Sequence, residues 1–318
     1  MVDAGALPII VAIDLGGTVI KVGVVEDGVV TARATLPANS ARGLAPALPR
    51  LRRVVDGLVA GRVVGAVGLA MPGLVDRADR RVRSVKDKWT DAPGLDLQRW
   101  AMRGWSAPLS LENDAVAALA GEWRFGAAAK RDAAVMITLG TGIGTAAVVE
   151  GRLLRGSHGQ ATIGAHFTVA VGGRQCSCGN QGCAEAEAST LVLPMLARLD
   201  PRFPTSALAW ASEIDYREVF RSAPHDPLSA DLRDRAVAVW SALAVTLVHA
   251  YDPEVVVLGG GLAAAGSALT GPMAQALATR TWTPWGRVEL RAGLCGSDAA
   301  LLGVAVIAAS DLEESCAI

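Results

Sequence analysis

Lysine is scarce in this 318-residue chain: it stands only at positions 21, 86, 88 and 130, and the rest of the 30 basic residues are arginine. Such arginine use points to a GC-rich genome and says little about function. Charge of either sign is sparse, at 19% of residues, and the net charge is −1. No basic surface is announced, which argues against nucleic acid as a partner. Long apolar runs are missing as well. The opening "MVDAGALPIIVAIDLGG" has no basic segment, and Asp14 cuts its apolar run, so it reads as neither a secretory signal nor a membrane anchor. The expectation is a cytoplasmic protein with no membrane partner. No low-complexity linker divides the chain. With a first strand expected near residue 8, there is no room for an N-terminal helix-turn-helix. Cysteines number five, and three of them crowd into positions 176, 178 and 183. In a reducing compartment such a cluster reads as a metal site before a disulfide. Cys295 and Cys316 read as unpaired reduced thiols.

What is present is apolar residue, 51% of the chain, enough for a well-buried core in one large or two ordinary domains. "PIIVAID" is a β-branched run that ends in Asp and is followed by Gly-Gly-Thr. "KVGVVEDGVVTARATL" adds two strand-like runs around Asp27-Gly28. "LAPALPRLRRVVDGLVA" has helical spacing, and "VVGAVGLAMPGLVD" is a buried strand entering a Pro-Gly loop. The order then recurs approximately: "AAVMITLGTGIGTAAVVEGRLL" echoes "PIIVAIDLGGTVIKVGVVEDGVV" as strand, Gly-rich turn, strand, turn, strand. Two related α/β lobes with a cleft between them are expected. A division is expected at 112/113. The first lobe, 1–112, would be completed by a last helix near 300–318, and the second would span 113–299.

Three Gly-rich turns each follow an apolar strand: "DLGGT" with Asp14, Gly16, Gly17 and Thr18; "GTGIG" with Gly140, Thr141, Gly142 and Gly144; and Gly259, Gly260 and Gly261. Glycine permits close backbone approach, so N–H groups there can face phosphate oxygens. One such turn is a tight turn and nothing more; three in one chain point to a nucleotide. None fits a P-loop or a dinucleotide fingerprint. Asp14 suits Mg²⁺ held through water, and Lys21 is counted with the nucleotide contacts. A further question is posed by "LENDAVAALAGEW", where Glu112 and Asp114 flank Asn113 ahead of a strong helix former. A helix cap at Asn113 or Asp114 is the first reading. A catalytic carboxylate is the second, and a helix start can serve both.

With "DLGGT", "MPGLVD", "LENDA", "LGTGIG", "GRLLRGSHG", "CSCGNQGC" and "DPEVVVLGGG" in this order, the chain resembles the ROK family of sugar kinases and repressors over essentially its whole length. The resemblance implies a two-lobed actin-like ATPase (ribonuclease H-like) fold in which ATP and sugar meet in the cleft. It implies Asp114 as catalytic base and Asn113, Gly73, His166 and Glu185 as sugar contacts. It also implies a homodimer. His166, Cys176, Cys178 and Cys183 form a Cys₃His set suited to one structural Zn²⁺, within an insert at about 166–185. One nitrogen of His166 would bind the metal and the other would face the sugar. Family members acting on glucose-like sugars carry G-E-I-G-H before the zinc histidine, whereas here the stretch is "TIGAH", so Ile163 stands where a Glu receives hydroxyls at the anomeric edge. A hydroxyl left unpaired there costs on the order of 1–3 kcal/mol. The loop "SVKDKW", Ser84 to Trp89, departs from the family's Asn-containing loop and is read as either a solvated loop or an altered substrate wall. These changes point to a hexose-like sugar or a C7-cyclitol such as a valiolone relative, phosphorylated at a primary hydroxyl. Glucokinase and N-acetylhexosamine kinase stand as alternatives, and a non-catalytic sugar-binding protein is a third.

Overall fold

The computed structural model describes residues 9–161 and 163–316, with the side chains of Ser315 and Cys316 left aside. Thr162 and the Cys316 thiol therefore lie outside the described residues. In chain order the first half carries β1 (Ile9–Leu15), β2 (Val19–Glu26), β3 (Val29–Pro37), α1 (Leu48–Val59), β4 (Val64–Met71), β5 (Leu74–Asp76), β6 (Arg81–Ser84), α2 (Leu97–Trp105), β7 (Leu109–Asn113) and α3 (Asp114–Phe125). The second half carries β8 (Ala134–Leu139), β9 (Ile143–Val149), β10 (Arg152–Leu153), α4 (Ala184–Ala188), α5 (Leu193–Leu199), α6 (Tyr216–Ser222), α7 (Pro227–Tyr251), β11 (Val255–Gly259), α8 (Ser267–Arg280), β12 (Glu289–Ala292) and α9 (Ala299–Cys316).

The chain forms two compact units, the first of Met1–Lys130, Arg155–Ala161 and Ser297–Ile318, the second of Arg131–Leu154 and Thr162–Gly296. The first unit holds a five-stranded sheet of order β3-β2-β1-β4-β7. Strands β1, β2 and β3 form an antiparallel meander, and β4 and β7 run parallel to β1. Because parallel strands share an edge, the carboxyl ends of β1, β4 and β7 open on one side, the usual ligand side of such sheets. Their interiors, such as "IIVAIDL" and "VGAVGLAM", are buried almost throughout, as strands covered on both faces are.

The first unit extends past residue 112 because α3 packs on α9 with almost no space between the backbones. A Cβ on Gly121 would lie 2.2 Å from the Ala299 carbonyl oxygen, and one on Gly303 would lie 1.7 Å from that of Ala117. Only glycine admits that approach, and it commits α3 to the same unit as the chain's last helix.

The second unit repeats the topology with order β10-β9-β8-β11-β12, an antiparallel meander followed by two parallel strands. Helix α7 supplies Trp240, Leu243, Ala244 and Leu247 to its core, against Val135, Ile137, Val256 and Leu258 of the sheet. No helix among the described residues is long and apolar enough to cross a membrane.

Candidate functional site

In the first unit the ladder register brings the site residues to the carboxyl edge. Asp14 pairs with Ala70, Ala70 with Glu112, and Met71 with Asn113. Gly16 closes the turn after β1; a Cβ there would lie 2.5 Å from the Val19 carbonyl oxygen. Lys21 Nζ donates to Asp14 Oδ2 at 3.0 Å, so this turn carries its own ion pair. Thr18 is exposed.

The "END" triplet divides into three jobs. Asn113 caps α3: its Oδ1 accepts from Ala115 N at 2.9 Å and Val116 N at 3.2 Å, while its Nδ2 donates to the Gly73 carbonyl at 3.1 Å. That leaves one amide hydrogen for another partner. Gly73 has φ of 102° and packs under the next loop, where a Cβ would lie 2.3 Å from the Ser84 carbonyl oxygen. Asp114 is the first helical residue, and its Oδ1 accepts from Ala115 N at 2.9 Å. Burial first, and the Asp14 charge second, push the Asp114 carboxyl up to about 6; the helix-start N–H groups and the Lys88 charge oppose them. A carboxyl poised near neutrality at a strand-to-helix junction is suited to take up a proton.

Glu112 is a different kind of carboxylate. It is 2% exposed and accepts from Arg155 Nε at 2.8 Å and from Asn113 N at 3.0 Å, with Arg77 Nε at 3.5 Å. Arg77 in turn reaches Asp311 at 2.7 Å, which also accepts from Ser110 Oγ at 2.6 Å. This network pins the segment Arg155–Ala161 and α9 beside β7. Of its members the sequence singles out Glu112 and Asn113, while Arg77, Ser110 and Asp311 carry no sequence signal and Arg155 stands unremarked within "GRLLRGSHG".

In the second unit the "GTGIG" turn follows β8 and the Gly259–Gly261 turn follows β11. They pack on each other: Gly260 has φ of 83°, and a Cβ there would lie 2.3 Å from the Leu139 carbonyl oxygen. Thr141 is exposed at the turn. Gly144 lies inside β9, paired with Thr138, so it belongs to the ladder instead of the turn. Gly142 and Ile143 are held by Glu185, whose Oε2 accepts from Ile143 N at 2.8 Å. The carboxylate expected to meet a sugar thus also anchors the Gly-rich turn.

His166, Cys176, Cys178 and Cys183 have their ligand atoms within 4.8 Å of one another. Cys178 Sγ and Cys183 Sγ are 3.6 Å apart, and Cys176 Sγ is 3.5 Å from His166 Nδ1. A tetrahedral site with Zn–S bonds of ≈ 2.3 Å would space sulfurs about 3.8 Å apart, so the donor set fits. The fit uses Nδ1 of His166. Burial, then the neighbouring Cys178 and Cys176 thiols, push the Cys183 thiol up to about 12. Tight bends make the cluster: Gly182 has φ of 68°, and a Cβ there would lie 1.7 Å from the Ala170 carbonyl oxygen. Ile163 precedes the short turn Gly164–His166, which Thr145 Oγ1 holds by accepting from Gly164 N at 2.7 Å. The apolar Ile163 side chain offers no acceptor.

The ROK family model matches residues 10–311. The chain is 31% identical over 306 residues to a glucokinase of Thermotoga maritima, covering 94% of this chain and 96% of that protein. A ROK hexokinase from Thermus thermophilus shares 32% identity with a TM-score of 0.77, covering 96% of this chain and 99% of that one. A ROK family glucokinase from Streptomyces griseus, solved in complex with glucose and AMPPNP, has a TM-score of 0.81 at 27% identity, covering 95% of this chain and 99% of that one. The match runs through both sheets and every turn described above, and it brings with it the α/β actin-like ATPase fold: this chain belongs to the ROK family.

Proposed function

We propose that this chain is an ATP-dependent kinase that phosphorylates the primary hydroxyl of a hexose-like sugar or a sugar-like cyclitol. The phosphotransferase class is supported by the glucokinase relatives. The observation that carries the reading is Asp114, a carboxyl raised to about 6 at the start of α3. Asp114 accepts the proton of the acceptor hydroxyl as that oxygen forms its bond to the γ-phosphorus. The bond from the γ-phosphorus to the bridging oxygen breaks, and ADP leaves. Most of the rate acceleration in such a transfer comes from positioning and charge stabilisation. The backbone N–H groups of Gly16–Thr18, Gly140–Gly142 and Gly259–Gly261 are the proposed phosphate contacts. Mg²⁺ bound with the nucleotide supplies charge neutralisation, and Asp14 is the carboxylate that would hold it through water. His166, Cys176, Cys178 and Cys183 would hold one Zn²⁺ that shapes the substrate wall. Elemental analysis should find about one zinc per chain, and a zinc-free protein that is folded and active overturns that part.

For the acceptor, Ile163 supports a group without a hydroxyl at the anomeric edge, and a carbasugar of the C7-cyclitol class has neither ring oxygen nor hemiacetal hydroxyl. A second reading, glucokinase, is favoured by the identity to the Thermotoga maritima enzyme, and an N-acetylmannosamine kinase of Vibrio cholerae at 28% identity extends the alternatives to N-acetylhexosamines. A homodimer working in the cytoplasm, where ATP and reduced thiols are supplied, completes the proposal. An ADP-release screen across hexoses, N-acetylhexosamines and C7-cyclitols decides among these. Cyclitols are expected to give the highest kcat/KM. Glucose as best acceptor leaves an ordinary glucokinase, and no release with any acceptor overturns the kinase reading.

A further inference from the structure

The loop Ser84–Trp89 is the part of the first unit that composition, motif and resemblance leave unexplained. It holds two of the chain's four lysines. Its end is fixed firmly. Trp89 is fully buried, its N–H donates to the Ser40 carbonyl at 3.0 Å, and Ser40 Oγ donates to the Gly17 carbonyl at 2.7 Å. One hydroxyl-bearing residue thereby ties the loop to the Gly-rich turn after β1. Asp87 and Trp89, on either side of Lys88, have φ of 60° and 57°. Left-handed backbone at two non-glycine residues is uncommon, and strain of this kind persists where surrounding contacts over-determine it.

What this geometry delivers is the Lys88 side chain. It lies across the face of Gly17 that a side chain would occupy: a Cβ on Gly17 would be 2.8 Å from Lys88 Cδ, 2.7 Å from Cε and closer still to Nζ. Glycine at position 17 therefore makes room for Lys88 as well as for the turn. Lys88 is half-buried, and its charge is felt by Asp114, where it opposes the effects of burial and of Asp14. The other lysine of this neighbourhood, Lys21, is already committed to Asp14. Lys88 makes no such ion pair among the described residues. An ammonium held over a Gly-rich turn, with its charge felt by the Asp114 carboxylate, has the right charge and position for the oxygens of a transferring phosphoryl group.

We propose that Lys88 is a further catalytic residue: its Nζ binds a γ-phosphoryl oxygen over Gly17 and stabilises the charge that spreads onto those oxygens during transfer. This rests on the kinase reading above. It assigns the departure at "SVKDKW" to the phosphoryl donor and leaves acceptor choice to Ile163. The loop is thus a clamp on ATP whose ends are Trp89 and the turn.

The test separates the two nucleotide states. ADP lacks the group that Lys88 would hold, and AMPPNP carries it. Calorimetric titration of each, with Mg²⁺, into wild type, Lys88→Met and Lys88→Arg reads the contact without an acceptor. In wild type AMPPNP should bind more tightly than ADP. In Lys88→Met the AMPPNP affinity should fall roughly 10- to 150-fold, the scale of one charge-assisted hydrogen bond, with ADP affinity unchanged. Lys88→Arg should recover part of the loss. With the best acceptor of the screen, Lys88→Met should lower kcat and leave the acceptor KM unchanged. Equal AMPPNP and ADP affinities in Lys88→Met and wild type overturn this inference alone, as does an equal loss for both nucleotides or a rise in acceptor KM with unchanged kcat. A wild type that binds neither nucleotide overturns the kinase reading and this inference with it. Thermal unfolding of the variants checks that the fold is kept, which a half-exposed side chain outside the core allows.

Discussion

The two five-stranded sheets share one topology and end in opposite chemistry. In the first unit, the turn after the leading strand carries ions: Asp14, Lys21 beside it at 3.0 Å, and Lys88 across Gly17. In the second unit, the turn at the same place in the sheet carries Gly140, Thr141 and Gly142, and its fixing carboxylate, Glu185, arrives from α4 to accept from Ile143 N. One turn offers fixed charges and the other offers backbone N–H groups. Even the meander differs, with nine residues in β3 and two in β10. A duplicated scaffold holds its shape through backbone pairing, so the two copies of a turn are free to diverge in side chains. The carboxyl edge is where such divergence alters chemistry without disturbing the core.

Removing the charged chemistry of the first unit should give the largest effect. Asp114→Asn is expected to lower kcat roughly 10²- to 10⁴-fold with the nucleotide affinities kept, since that is the usual scale of general-base loss. Wild-type activity should fall as pH drops through about 6, where Asp114 takes up its proton. Stability moves the other way. The folded carboxyl is raised from 3.8 to about 6, so its favourable contribution is full below pH 3.8 and is lost as pH rises through 6. Asp114→Asn should then unfold later than wild type above pH 6, by at most about 3 kcal/mol, with the gap closing toward pH 4. Denaturant titrations at three pH values read this, and a gap that grows toward acid would contradict it.

The next effect separates Glu112 from its neighbour two residues on. Glu112→Ala leaves Arg155 and Arg77 without their buried carboxylate and is expected to cost about 3–5 kcal/mol in unfolding free energy. A variant as stable as wild type would mean that the network is decorative.

At the proposed substrate wall of the second unit, Ile163→Glu should raise the kcat/KM ratio of glucose over the best acceptor roughly 10- to 150-fold, one charge-assisted hydrogen bond. It should also weaken the true acceptor, because a carboxylate would be desolvated against a less polar group. An unmodified protein that already phosphorylates glucose efficiently would refute this.

The smallest effect sharpens the comparison of turns. Glu185→Ala frees the Ile143 N–H, so KM for ATP is expected to rise about 10-fold, the larger side of one hydrogen bond, along with that for the acceptor. A change confined to the acceptor would make Glu185 a sugar contact only.

Much of this arrangement is legible in the sequence. β-branched runs ending in Gly-rich turns give the leading strands and their repeat, and the Asn-Asp pair ahead of "AVAALAGEW" gives a cap at one of two positions, which the structure places at Asn113. The cysteine spacing gives the cluster that folds around Gly182. Less is legible where a partner lies far along the chain. Glu112 and Asp114 look alike until Arg155 neutralises one of them. The expected division at 112/113 fails for the same reason, since the contact of Gly121 and Gly303 joins positions far apart in sequence, and no local pattern announces it. The motif groups Gly144 with its turn, whereas ladder pairing with Thr138 places it in β9. Lys88 was visible only as a rare residue in an odd loop; its meaning comes from the missing side chain of Gly17.

The seam between α3 and α9 also sets an order of assembly. As the chain is synthesised, every strand and helix of the second unit has been made by residue 296, whereas the first unit still waits for the helix that packs on β1, β4, β7 and α3. The unit begun first is therefore the one finished last. Until α9 arrives, the apolar face of β4 around Gly68, where a Cβ would lie 2.6 Å from the Val304 carbonyl oxygen, has nothing to close it. The first unit's sheet therefore stays open on that face through the making of the whole second unit, and its core is complete only once α9 has been added.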